Sequence, residues 1–162
     1  MLNLQSALNE FFEQEEWDFH FVENAGIVRM NFAGDSGNWA CLAQAREPHQ
    51  QVVFYSICPL RVPEAKRAAM SEFLTRVNYG VVIGNFEMDL DDGEVRYKTS
   101  LDLEDVTEPA VLPALLGHIV YANVAAMDRY LPGMMAVITG SKSAAEAAVL
   151  ADETNEPDLT KS

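Results

Sequence analysis

Two hydrophobic periods alternate along the chain and predict its elements. Residues 84–101 follow a period of two: Phe86, Met88 and Leu90 alternate with polar neighbours on one arm. Val95, Tyr97, Thr99 and Leu101 do so on the other. Alternation on both sides of Asp91-Asp92-Gly93 predicts a β-hairpin with a tight turn there and one apolar face on each arm. Near the start, Leu4, Leu8, Phe11 and Phe12 recur at helical spacing. Glu13, Glu15 and Glu16 follow, and negative charge disfavours a helix C-terminus, so the first helix is expected to end there or to be held by packing.

Four extended stretches lie between, at 17–22, 27–32, 39–45 and 52–57. In the first, Trp17, Phe19 and Phe21 alternate with Asp18 and His20. Asn24-Ala25-Gly26, Gly34-Asp35-Ser36-Gly37 and Glu47-Pro48-His49-Gln50 separate them, which predicts an antiparallel meander. Pro59 and Pro63 then open a second helix with the stripe Ala69, Met70, Phe73, Leu74 and Val77. Glu72 and Arg76 are an i, i+4 pair on its wet side, and Asn78-Tyr79-Gly80 is read as a left-handed stop. After the hairpin, 102–108 reads as an acidic loop. A long helix over 112–130 carries a broad apolar surface: Leu112, Leu115, Leu116, Ile119, Val120, Val124 and Met127. Pro113 places its start near Leu112 or else kinks it there, and Pro132-Gly133 is expected to break it. That leaves 134–138 as a short apolar run, 143–150 as a small helix, and 152–162 as a frayed polar tail. The fold class is α+β: an antiparallel sheet, meander plus C-terminal hairpin, packed with about three helices. One domain is expected over 1–140, followed by a short helix and tail over 141–162.

Composition narrows the partners. The 162 residues are 49% hydrophobic, enough for a packed core, and carry 25 acids against 11 bases for a net charge of −14. Such a chain repels phosphate backbones and anionic lipid, so neither nucleic acid nor membrane is expected as a partner. No apolar stretch approaches the roughly 20 residues of a membrane helix, and 1–6 lacks the pattern of a signal peptide. A cytoplasmic protein is expected. Cys41 and Cys58 read as buried free thiols, with a cross-strand disulfide as the alternative.

Candidate chemistry is thin. The acidic turn from Asp89 invites a calcium loop, but Glu94 and Ser100 stand where that loop needs Gly and Glu. Counting from Glu87 places Asp92 and Lys98 there. His20, His49 and His118 share no ligand spacing with one another or with the cysteines, and His118 reads as a core or boundary residue. There is no glycine-rich phosphate loop, and Glu87/Asp89 or Glu104/Asp105 are ordinary in so acidic a chain. No catalytic residue, metal or cofactor is expected. The apolar surplus of the long helix and the run after it marks Leu116, Val120, Met134, Met135 and Ile138 as candidate partner-binding residues, with core packing as the alternative.

Particular segments resemble a known family: Trp39-Ala-Cys41, Ser56-Ile-Cys-Pro59, Val62-Pro63, Asn78-Tyr-Gly80, Gly84-Asn-Phe-Glu-Met-Asp89, Gly93-Glu-Val-Arg-Tyr97 and Asp128-Arg-Tyr-Leu-Pro132. Together with the element order over about 1–140 they resemble the YbjN-like family of bacterial sensory transduction regulators, in a cyanobacterial flavour. The resemblance implies a fold similar to type III secretion chaperones, usually dimeric, that binds partner polypeptides. It supplies no catalytic residues. The function expected is a non-enzymatic protein-binding regulator or chaperone-like adaptor and a homodimer. The alternative is a small-molecule sensor with its pocket between the sheet and the long helix.

Overall fold

The computed structural model describes residues 1–153, and the polar stretch 154–162 lies outside them. α1 (Leu4–Gln14) is capped by Asn3, whose side chain accepts from the Ser6 amide, and it buries Leu4, Leu8, Phe11 and Phe12. Then follow β1 (Phe19–Val22), β2 (Ile27–Ala33), β3 (Asn38–Arg46) and β4 (Gln51–Ile57). α2 (Arg67–Gly80), β5 (Asn85–Met88), β6 (Val95–Asp102), α3 (Leu112–Thr139) and α4 (Ala144–Glu153) complete the described chain. The strands form one antiparallel sheet in the order β1-β2-β3-β4-β6-β5, so the hairpin joins the meander through β6. Every strand residue of the core cluster, among them Val28, Met30, Trp39, Cys41, Ala43, Phe54 and Tyr97, lies on one face of that sheet, and the helices cover it. α4 packs on α2 and α3 through Ala144, Ala147, Ala148 and Ala151.

The hairpin is shorter than its hydrophobic pattern. β5 ends at Met88, and Leu90 is exposed in the turn instead of continuing the strand. Asp89 closes the turn, its amide bonded to the Glu94 carbonyl and its carbonyl to the Gly93 amide. Gly93 has φ 79, and its carbonyl accepts from the Val62 amide at 2.8 Å. The left-handed glycine expected at the end of α2 lies elsewhere. Gly80 stays helical, Val81 turns extended, and the positive φ falls on Gly84.

The expected break at Pro132-Gly133 does not occur: α3 runs through it for 28 residues. A proline inside a helix lacks the amide that would bond residue i−4 and costs on the order of 3 kcal/mol. Here the carbonyl freed one turn back is that of Asp128, and the Ser36 hydroxyl donates to it at 2.6 Å. The Asp128 carboxylate also accepts from the Asp35 and Ser36 amides, so the β2–β3 turn takes up what proline leaves open. Gly133 lets the Phe73 ring of α2 approach, since a Cβ there would stand 2.7 Å from it. Residues 134–138 are therefore helical. By length and composition this helix could also cross a membrane, with mean hydropathy 1.6, contrary to the reading of the apolar runs alone. Its buried side, from Leu112 to Val137, packs against β4, β6 and the other helices.

Two outcomes follow. A Cβ on Gly93 would lie 2.2 Å from the Val62 carbonyl oxygen. Gly93→Ala should therefore cost about 3 kcal/mol, combining left-handed strain with a backbone clash, read as a lower denaturant midpoint. Partial burial raises the Asp128 pKa, but the bonds from Ser36 and Asp35 outweigh it and hold the carboxyl below its usual range. A lowered folded-state pKa stabilises above the unfolded value. The stability gap between wild type and Asp128→Asn should thus be complete at neutral pH and close as pH falls below about 4.

Candidate functional site

The face of the sheet turned away from the helices is built by the other half of each strand's alternation. Register places His20, Arg29, Leu42, Tyr55, Lys98 and Asn85 in one row across all six strands. A neighbouring row runs Asn31, Ala40, Ile57, Arg96 and Glu87. On the other side Val22, Ile27, Gln44, Val53 and Ser100 align, and beyond them Arg46, Gln51 and Asp102. Leu42, Val53, Tyr55 and Ile57 thus form an apolar strip at the middle of this face. Val53 is only 8% exposed yet stands outside the core cluster, because its neighbours on the strip, and not the helices, cover it.

Charge frames the strip. The Arg96 guanidinium lies over the Tyr55 ring, 4.3 Å from its centre. Glu87 pairs with Arg96 and, at 3.0 Å, with Lys98. Partial burial pushes the Glu87 carboxyl up, but hydrogen bonds and charge from Lys98 and Arg96 prevail and hold it below the usual carboxylate range. Arg29 is exposed and makes no ion pair among the described residues. Small Ala33 and Ala40 leave a shallow hollow beside Asn31, Asn38 and Pro59 at one end.

A second exposed apolar feature leads from the end of α2 into β5. Tyr79 is 84% and Val82 90% exposed, with Ile83 beside them, and residues 79–84 carry no charge. The β5 edge next to it is already answered. The Asn78 carboxamide accepts from the Phe86 amide at 2.8 Å and donates to the Phe86 carbonyl at 2.9 Å, as a neighbouring strand would.

Of the residues singled out from the sequence, Leu116, Val120 and Met134 are buried in the core and offer no surface to a partner. Their apolarity belongs to an unbroken helix that consumes it on the sheet. Met135 and Ile138 are half-buried and packed against the core. The seam between α3 and the sheet is filled. Asn123 Nδ2 donates to the carbonyls of Phe54 and Tyr97, both at 3.0 Å, and Thr99 donates to the Ile119 carbonyl. A cleft of about 470 Å³ lies instead between α1, the 104–109 loop and the start of α3, with Glu10, Gln14 and Glu104 at its wall.

Cys41 and Cys58 are free and buried. Burial pushes Cys41 up to about 11, against the lowering effect of Ser56 and Trp39, and raises Cys58 also, the reverse of an activated nucleophile. His20, His49 and His118 are exposed, His118 contrary to the core reading, because it points off the wet side of α3. Sequence reasoning missed the open face, since Arg29, Leu42, Tyr55 and Lys98 come together only through register. It also missed Gln50. Its buried side chain bonds both backbone groups of Leu2, and its left-handed backbone leaves no sequence mark.

A sheet bare on one side and layered with helices on the other defines an open-faced α+β sandwich. The fold is similar to the crystal structure of YbjN from E. coli, described as a putative transcription regulator. TM-score is 0.53 at 8% identity, over 85% of this chain and 90% of that one. The family model described as "Putative bacterial sensory transduction regulator" matches residues 5–135, and the chain belongs to this YbjN family. No curated protein matches the sequence.

Proposed function

We propose that the protein is a non-enzymatic, cytoplasmic regulator that works by holding another protein on its open sheet face. The observation that carries this is the strip Leu42, Val53, Tyr55 and Ile57, apolar at the centre of a face that no helix of the described residues covers. An antiparallel sheet can leave one face wet, but its alternation then runs polar outward. Here the outward positions of β4 are mostly apolar and Leu42 of β3 joins them, while the charged outward side chains stand on β2, β5, β6 and the end of β3, the arrangement of a contact surface with a charged rim. Buried thiols of raised pKa support a role without covalent chemistry. The net charge of −14 supports regulation through protein contact over direct grip on nucleic acid. The seam between α3 and the sheet, where a sensor's ligand was expected, is occupied by side chains, and this favours the adaptor.

We take the adaptor to be a homodimer. Two acidic copies repel except where charge is absent, and the exposed 79–84 ridge is such a place.

Two experiments test these statements. A benzophenone amino acid at Tyr55 should crosslink a protein in the cell, and Leu42→Asp should abolish the adduct with the far-UV spectrum unchanged. Adducts obtained only from Tyr121, on the helix side, would place the contact surface elsewhere. In light scattering the wild type should show twice the 17.9 kDa chain mass and Val82→Asp the single mass. A single mass for both refutes the dimer.

A further inference from the structure

The reading of the open sheet face as the docking surface can be carried to the chemistry of what docks. The face gathers four cations, Arg29, Arg46, Arg96 and Lys98, against two carboxylates, Glu87 and Asp102. These strand positions sum to +2 within a chain of −14, so the remaining residues, Asp89 and Glu94 at the end of the β5–β6 ladder among them, carry −16. The sequence hides this segregation, because no run of bases contributes to it.

Screening decides which charge an approaching group meets. At about 0.1 M salt the Debye length is about 10 Å, so a carboxylate at the strip responds to the cations beside it more than to acids on the far side of the helices. Farther out, the negative potential of the acidic surfaces repels an anionic partner from them, and the cations of this face set it apart. We infer that the open sheet face takes an acidic, extended segment of a partner protein. Its carboxylates meet Arg29 and Lys98 while its apolar side chains lie on Leu42 and Tyr55.

Register gives the segment its spacing. Arg29 and Lys98 bracket Leu42 and Tyr55 in one row, three strand intervals apart. At about 4.8 Å per interval that is roughly 14 Å, the length of about four extended residues. The matching pattern is an acid at every fourth position with an apolar residue midway between, because the side chains of an extended segment alternate faces. Arg29 is available for it, and Glu87 holds Arg96 and Lys98 in place from the other side. A nucleic-acid duplex fits less well: tight binding draws on about six to ten phosphate contacts, and here an apolar strip divides four cations.

The test uses the full chain and the methyl NMR signals of Leu42, Val53 and Ile57. The probes are a peptide of three Glu-Ser-Leu-Ser repeats, its Gln-for-Glu and Lys-for-Glu counterparts, and a short DNA duplex. The acidic peptide should shift these methyls saturably, and the Gln peptide should bind about tenfold more weakly. Arg29→Glu with Lys98→Glu should reverse the preference toward the Lys peptide, with the core methyls of Val28 and Val120 unmoved. Should the double variant unfold, 0.5 M salt on the wild type must weaken the acidic peptide about tenfold in its place. Equal binding of the Glu and Gln peptides overturns the acidic partner and leaves the docking face standing. Silence of the three methyls toward all peptides removes both. Shifts with the duplex and not with the acidic peptide replace the protein segment by nucleic acid.

Discussion

The long helix is tied to the sheet at its middle by one buried polar side chain. Asn123 is fully buried and reaches into the sheet between β4 and β6, where its amide nitrogen meets the carbonyls of Phe54 and Tyr97 and the Thr99 hydroxyl. Buried polar groups left unpaired cost roughly 1–3 kcal/mol, so a slide or rotation of α3 that breaks these bonds is opposed at each of them. Apolar contacts alone tolerate such sliding, since one methyl replaces another at little cost. With α3 fixed, α1 packs along one side of it and α2 and α4 along the other. The helical layer then has one arrangement, and the opposite side of the sheet is left bare by exclusion.

The second anchor of α3 explains why one family segment has its particular residues. Within Asp128-Arg-Tyr-Leu-Pro132, proline removes an amide and Asp128, four residues earlier, holds the carbonyl that loses its partner. Ser36 fills that position, while the Asp128 carboxylate binds the same turn from its side chain. Arg129 donates to the Ala151 carbonyl and Tyr130 packs edge-on to Phe86, so the segment meets the β2–β3 turn, β5 and α4. These residues organise the fold and supply no reacting group.

Local pattern was legible, and spatial compensation was not. The alternation of 84–101, the stripe of α1 and the ten-residue rhythm of the meander each report which side of an element is buried, and elements formed there, though β1 begins only at Phe19 and β5 ends at Met88. Pro132 was misread because a proline's effect depends on what stands opposite the freed carbonyl. Ser36 does so from a turn remote in the chain. Leu116, Val120 and Met134 looked surplus only while the helix was thought to stop short. The open face was invisible for another reason. Each strand states which residues share a side, but not which residue of the next strand lies beside them.

The two rims of the sheet differ in kind. Asn78 occupies the outward bonding pair of Phe86 in four-residue β5, so a chain arriving at that rim finds the pair already taken. Strand pairing is a step-growth process: a sheet with two live rims can add copies indefinitely, whereas one with a single live rim stops after one addition. Asn78 lowers the functionality of the β5 rim in that chemistry. An acidic chain with an apolar outward strip can then keep that strip in water without its sheets joining into fibres through β5.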